Sequence, residues 1–238
     1  MSLLWDWPTR VLHWAMAGLF LGAFSIAVAS SEHGRVFPVH AAVGLLLGLA
    51  ILLRLVWGFV GSRPSRFASF PLRPSSLARY LKEALAGQDR PTDGHNPAAG
   101  YAALAMLLLP LALAATGIAM GLGGKWAEEV HAVLAYAMLS VVALHVLGLA
   151  WYTRRHREAI ALSMVHGRRR LPQGEAIPSS RPFMGVAFLL VLAGGGTLIW
   201  NGLDTRRRTL LLPGMSTPIS VGENEKGRQG LEHQGDDD

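Results

Sequence analysis

The chain has 238 residues, of which 51% are hydrophobic and only 16% charged, and the charges crowd between long apolar runs; this excludes ordinary soluble domains and points to a helical protein that crosses a membrane several times. It contains no cysteine, which rules out disulfides, iron–sulfur clusters, thiolate zinc sites and thioether-attached haem. The net charge of +6 is not a nucleic-acid signature, because the arginines flank apolar spans, where membrane orientation and anionic lipid explain them.

A first membrane span is predicted over residues 11–30. The preceding WDWPTR is too polar and aromatic for a signal-peptide start, and no small-residue cleavage pattern follows, so the span is expected to be retained. His13 lies near its start, among Leu12, Trp14 and Met16. The short SEHGRVFP connection ends in Pro38, which suits the first turn of a helix. A second span is predicted over 39–60, opening on His40 and carrying Arg54 and Trp57 near its end.

Residues 61–96 form the longest internal polar stretch, with Arg63, Arg66, Arg73, Arg79, Lys82 and Arg90. Within it LARYLKEAL reads as a short amphipathic helix lying on the membrane surface. GHNPAAGY leads into a third span over 97–120, whose Pro110 and Gly117 a membrane helix tolerates. After a GLGGK turn, the fourth span runs over 130–151 and carries His131 and His145. TRRHREAIALSMVHGRRR follows as a basic amphipathic segment.

The chain is therefore expected to be an all-α integral membrane protein. A four-helix transmembrane bundle occupies 1–170, a linker 171–182, a fifth transmembrane helix 183–200 and a flexible polar tail 201–238. No internal repeat of fixed period is present. The N-terminus carries Arg10, and the 61–96 and 153–181 segments are rich in arginine, whereas the two connections on the other side hold one cation each, Arg35 and Lys125. The positive-inside rule places the N-terminus and both basic segments in the cytoplasm. The Arg206–Arg208 cluster after the fifth span runs against that count.

Ionisable rings inside apolar spans are costly and mark functional sites. His131 and His145 are 14 residues apart, which on a helix puts them within roughly 40° of each other and about 21 Å apart along the axis. With orientation assigned, the histidines sort by depth into an outer pair, His40 with His131, and an inner pair, His13 with His145. Each pair comes from two helices, as bis-imidazole ligation of one haem requires. Gly18, Gly22, Gly44 and Gly48 offer small faces for a flat macrocycle or a close helix, and Arg10 and Arg54 are placed to meet haem propionates. Taken singly, a histidine in a span is as often a helix–helix hydrogen bond. A shared metal ion cannot collect four rings at two depths, and a proton relay would want buried carboxylates that the four spans almost lack. His33, His156, His166 and His233 read as solvated, and His95 reads first as a helix-start residue ahead of Pro97.

WDWPTRVLHW, His40 opening the second span, RLVWGFVGSRPSRF, GHNPAAGY and the His131/His145 pair together resemble the bacterial cytochrome b-561 family over about residues 3–170. That family includes the di-haem cytochrome b membrane subunits of nickel–iron hydrogenases and is related to the formate dehydrogenase cytochrome subunit. The resemblance implies two haem b groups, with ligands falling on His13, His40, His131 and His145. It also implies an inner-membrane electron-transfer role between the quinone pool and a periplasmic partner, either a c-type cytochrome or a dehydrogenase or hydrogenase module. A quinone site near the inner haem is implied as well, with Arg10, Arg54, Trp57 and His95 as candidates. The alternatives are a stand-alone superoxide:quinone oxidoreductase and a haem-free membrane anchor or transporter.

Overall fold

Helix α1, Trp7–Ala29, starts a turn earlier than the apolar run alone predicts. Asp6 caps it by accepting from the Thr9 amide, and Pro8 sits in the first turn, where its missing N–H costs nothing. The computed structural model describes residues 1–30, 34, 36–89, 95–170 and 176–222. His33, Arg35, Arg90, His233, part of the linker and the tail beyond 222 lie outside the described residues.

Helix α2, Phe37–Val60, has Pro38 in its first turn and ends at Gly61. Two 3₁₀ turns, Arg63–Ser65 and Phe67–Ser69, lead to α3, Pro74–Leu85, the short surface helix expected from LARYLKEAL. Asn96 caps α4, Pro97–Gly121, by accepting from the Ala99 amide. Helix α5, Trp126–His156, overruns the predicted span at both ends, and Arg157 closes it in the left-handed conformation. The segment after it is not one amphipathic helix. It comprises the 3₁₀ turn Ile160–Leu162, the short α6, Ser163–His166, and the strand β2, Arg168–Arg169, paired antiparallel with β1, Ser2–Leu3. The fifth long helix, α7, spans Pro182–Gly202.

Among the described residues five helices, α1, α2, α4, α5 and α7, are long and apolar enough to cross a membrane. α1 packs along α2, α4 along α5, and α2 against α4, while α7 lies on α1 and α2. Phe20, Leu47, Ile51, Leu107 and Met138, from four helices, form a buried layer across the bundle. Apolar residues such as Val133, Leu144, Leu147 and Trp151 stay exposed on α5, as expected of a surface that meets lipid rather than water.

The expected flexible tail from 201 needs correction over its first part. β3, Leu203–Asp204, β4, Thr209–Leu210, and β5, Ile219–Ser220, form a small antiparallel sheet. Leu210, Ile219 and Val221 bury themselves with Ile199 of α7 and Ala42 of α2. Three apolar residues spaced among Gly, Pro and Arg carry too weak an alternation to register as strands from sequence. Once set against α2 and α7, they have a surface to cover.

Candidate functional site

His40 and His131 meet at one end of the bundle. Their ring centroids are 6.1 Å apart and the planes cross at 75°. Each ring has one nitrogen engaged. His40 Nδ1 lies 2.8 Å from the Ala23 carbonyl of α1, which can only accept, so Nδ1 carries the proton and Nε2 keeps its lone pair. Phe37 stacks on the His40 ring at 5.5 Å. His131 Nδ1 lies 2.9 Å from Thr116 Oγ1 on α4. Sequence reading had passed over Thr116, since a threonine in an apolar span is unremarkable until its partner is known.

The other end gathers the chain's basic segments. His13 packs edge-on against Trp14 and lies within electrostatic range of His145 and Arg54. Among the described residues no ring contact joins His13 to His145, so the structure brings this pair near without closing it. His95 joins the same group: it is half-buried between Trp5 and Phe70, at 5.2 and 4.5 Å between centroids. Burial, then Arg54, then His145 push its pKa down to about 4, so it is neutral at ordinary pH.

Arg54 is buried at 7% exposure. Its Nη2 donates to the Ser65 carbonyl at 3.1 Å, its guanidinium lies over Phe67, and the Asp6 carboxylate is within electrostatic range. Nη1 is buried with no hydrogen-bond partner among the described residues. An orphaned cationic donor in an apolar bundle is costly unless an acceptor completes it. Arg10 donates to the Val165 carbonyl, and its Nε has no hydrogen-bond partner among the described residues. Trp57 is differently employed: its indole N–H donates to Asp6 at 3.2 Å, its ring meets Phe188 edge-on, and Arg181 lies over it.

Asp6 is the residue that sequence reading missed at this end. Fully buried, it caps α1, accepts from the Thr9 hydroxyl and receives Trp57. Thr9 continues to Ser65, and Ser65 to Ser62. The WDWPTR and WGFVGSRPS stretches are thus halves of one polar joint between the start of α1 and the end of α2. The Asp-x-Pro-Thr pattern is a capping signal and was available in the sequence.

The two histidine groups are in step along the helices. His131, Met138 and His145 recur every seven residues on α5, and His40, Leu47 and Arg54 do so on α2. Met138 and Leu47 belong to the buried layer, so an apolar layer lies midway between two ends that are about four helical turns apart.

The donor set fits haem. Two imidazoles on one metal, each nitrogen about 2 Å from it and each ring centre about 1 Å further, stand about 6 Å apart, which is the His40–His131 spacing. A Cβ built at Gly18 or Gly44 meets nothing within 4 Å, leaving smooth helix faces of the kind a flat macrocycle needs. At the other end, Arg54 Nη1 fits a carboxylate such as a propionate.

The model of the prokaryotic cytochrome b561 family matches residues 4–167. A probable Ni/Fe-hydrogenase B-type cytochrome subunit of Rhizobium leguminosarum bv. viciae is 29% identical over 141 residues. That match covers 49% of this chain and 58% of the relative, so the chain spans little more than half of that protein's length. No solved structure matches.

Proposed function

Because the chain belongs to the prokaryotic cytochrome b561 family, we propose that it holds two b haems in series and passes electrons between a redox partner and membrane quinone. The family and the five spans make this a multi-pass membrane cytochrome b with b-type haem and an electron-transfer role. A haem held by two imidazoles would supply one-electron transfer. In this reading His40 and His131 hold one haem, and His13 and His145 the other. The observation that carries it is the His40–His131 geometry, two rings at ligation spacing with a defined Nδ1 acceptor for His40 and a hydroxyl beside His131.

The chain's own residues divide the remaining work. Arg54 offers a buried cationic donor beside His13, and neutral His95 can hydrogen-bond without adding charge; together they support a quinone or propionate site at the basic end, with Arg10 at its rim. Trp57 supports the site by holding Asp6. The arginine distribution supports a cytoplasmic N-terminus in the bacterial inner membrane. The partner then meets the His40/His131 end from the periplasm. The hydrogenase subunit among the relatives favours a hydrogenase module, with a dehydrogenase or c-type cytochrome as the other candidates. Without thiolates the chain holds no cluster of its own, so the substrate chemistry belongs to the partner.

The test is a dithionite-reduced minus oxidised spectrum of the purified chain, followed by reduction with a short-chain quinol. A b-type α-band that fills with quinol, and fills more slowly in Arg54→Gln, is expected. Absence of the band would sink the haem reading, and a band that quinol never fills would sink the quinone reading alone.

A further inference from the structure

We propose that the Thr116 hydroxyl is the positioning group for His131, fixing which ring nitrogen carries the proton and how strongly the other donates to iron. The inference rests on the reading of His131 as an axial ligand. Thr116 is buried on α4, fifteen positions before His131, with Oγ1 2.9 Å from the ring's Nδ1. A hydroxyl has one hydrogen and two lone pairs. Here the hydrogen is taken by the preceding turn of α4, where the Ala112 and Leu113 carbonyls lie 2.9 and 3.1 Å away. A threonine bonded back to its own helix is common in apolar spans and would mean nothing alone. This one also turns its remaining lone pairs to a histidine on the neighbouring helix.

The consequence follows from counting hydrogens. With its own hydrogen committed, Oγ1 accepts from Nδ1–H, and Nε2 is left bare. The two bonds run in one direction, Nδ1–H to Oγ1 and Oγ1–H to the Ala112 carbonyl, so each polarises the other. His40 is oriented by a backbone carbonyl, which no side-chain substitution removes. Thr116 is therefore the member of the two orienting groups that can be replaced by itself.

Outer-shell acceptors of this kind raise the donor strength of a ligating histidine. A stronger donor favours ferric over ferrous iron, so the hydroxyl lowers the potential of the haem it serves. Removing it is expected to raise the reduced-to-oxidised ratio of that haem on the order of tenfold at fixed poise, the scale of other outer-shell losses, equivalent to about 59 mV for one electron.

The experiment is a spectroelectrochemical titration of full-length Thr116→Val, Thr116→Ser and His131→Ala, with haem content measured in each. Valine keeps the shape and removes the acceptor; serine keeps the acceptor. The expected result is two haems in Thr116→Val with one midpoint raised and the other unmoved, and a serine variant close to the parent. Loss of one haem from the valine variant, with retention in serine, supports the same assignment. Unchanged midpoints with full haem content would overturn it, and would hand the role to the Leu113 carbonyl, which also interacts with His131. Equal shifts or losses in valine and serine would overturn it too, since the methyl and not the oxygen would then be at work. Full haem content in His131→Ala contradicts the ligand reading itself, a separate outcome.

Discussion

At the scale of single residues, Asp6 concentrates the most structure in one side chain. It caps α1 and receives the Trp57 indole from α2 in a site with no solvent contact. Asp6→Ala is expected to cost about 1 kcal/mol for the cap and about 1–3 kcal/mol for the unsatisfied indole N–H, read as a lower unfolding temperature in detergent. A stability equal to the parent's would show that the joint between α1 and α2 is held by packing alone. His95 makes a prediction about pH. Its folded pKa of about 4 lies below the ordinary 6.5, so the unfolded chain binds the extra proton between those values. Stability is then full above pH 6.5 and falls as the pH drops toward 4. His95→Gln should flatten that slope between pH 4 and 6.5; an unchanged slope assigns it to other groups. Glu158, held below its ordinary pKa by its hydrogen bond to Arg169, acts in a lower window.

At the scale of elements, Gly58 and the C-terminal sheet are the clearest tests. A Cβ at Gly58 would stand 2.2 Å from Phe67, the ring on which Arg54 lies. Gly58→Ala is expected to cost about 1–3 kcal/mol as overpacking, and Gly58→Ala with Phe67→Ala to recover part of it, because the two positions share one contact. If the double variant is simply the sum of the singles, that contact is not the cause. In the sheet, Leu210 is fully buried against residues from α2 and α7. Leu210→Ala should open residues 203–222 and make trypsin cut at Arg206, Arg207 and Arg208 much faster, while α1–α5 stay protected. Equal cutting in parent and variant would mean that the sheet offers no protection.

Legibility in the sequence differed from element to element. All five long helices were legible because each is a long apolar run bounded by Pro, Asn or Gly. Ends were misplaced where polar residues extend a helix beyond its apolar run, as at the start of α1 and at both ends of α5. The meeting of His40 and His131 was legible from depth and periodicity, whereas His13 and His145 lie near each other without a ring contact. The carbonyl of Ala23 and the hydroxyl of Thr116 were not, since they reach their rings only through contact between helices. The sheet was not legible because its strands have no alternation of their own and depend on α2 and α7 for a surface.

At the scale of the molecule, the seven-residue steps on α2 and α5 align His40 with His131 at one end and Arg54 with His145 at the other, with an apolar layer between them. That arrangement suits two redox groups separated across a bundle and isolated from water between. The central claim is that four histidines from three helices hold two haems, one pair at each end. The most direct test is the haem-to-protein ratio by pyridine haemochrome, in the parent chain and in His13→Ala, His40→Ala, His131→Ala and His145→Ala. The account predicts two haems in the parent and one in each variant, with His40→Ala and His131→Ala sharing one residual spectrum and His13→Ala and His145→Ala sharing the other. One haem in the parent, or an undiminished ratio in any of the four variants, would contradict it.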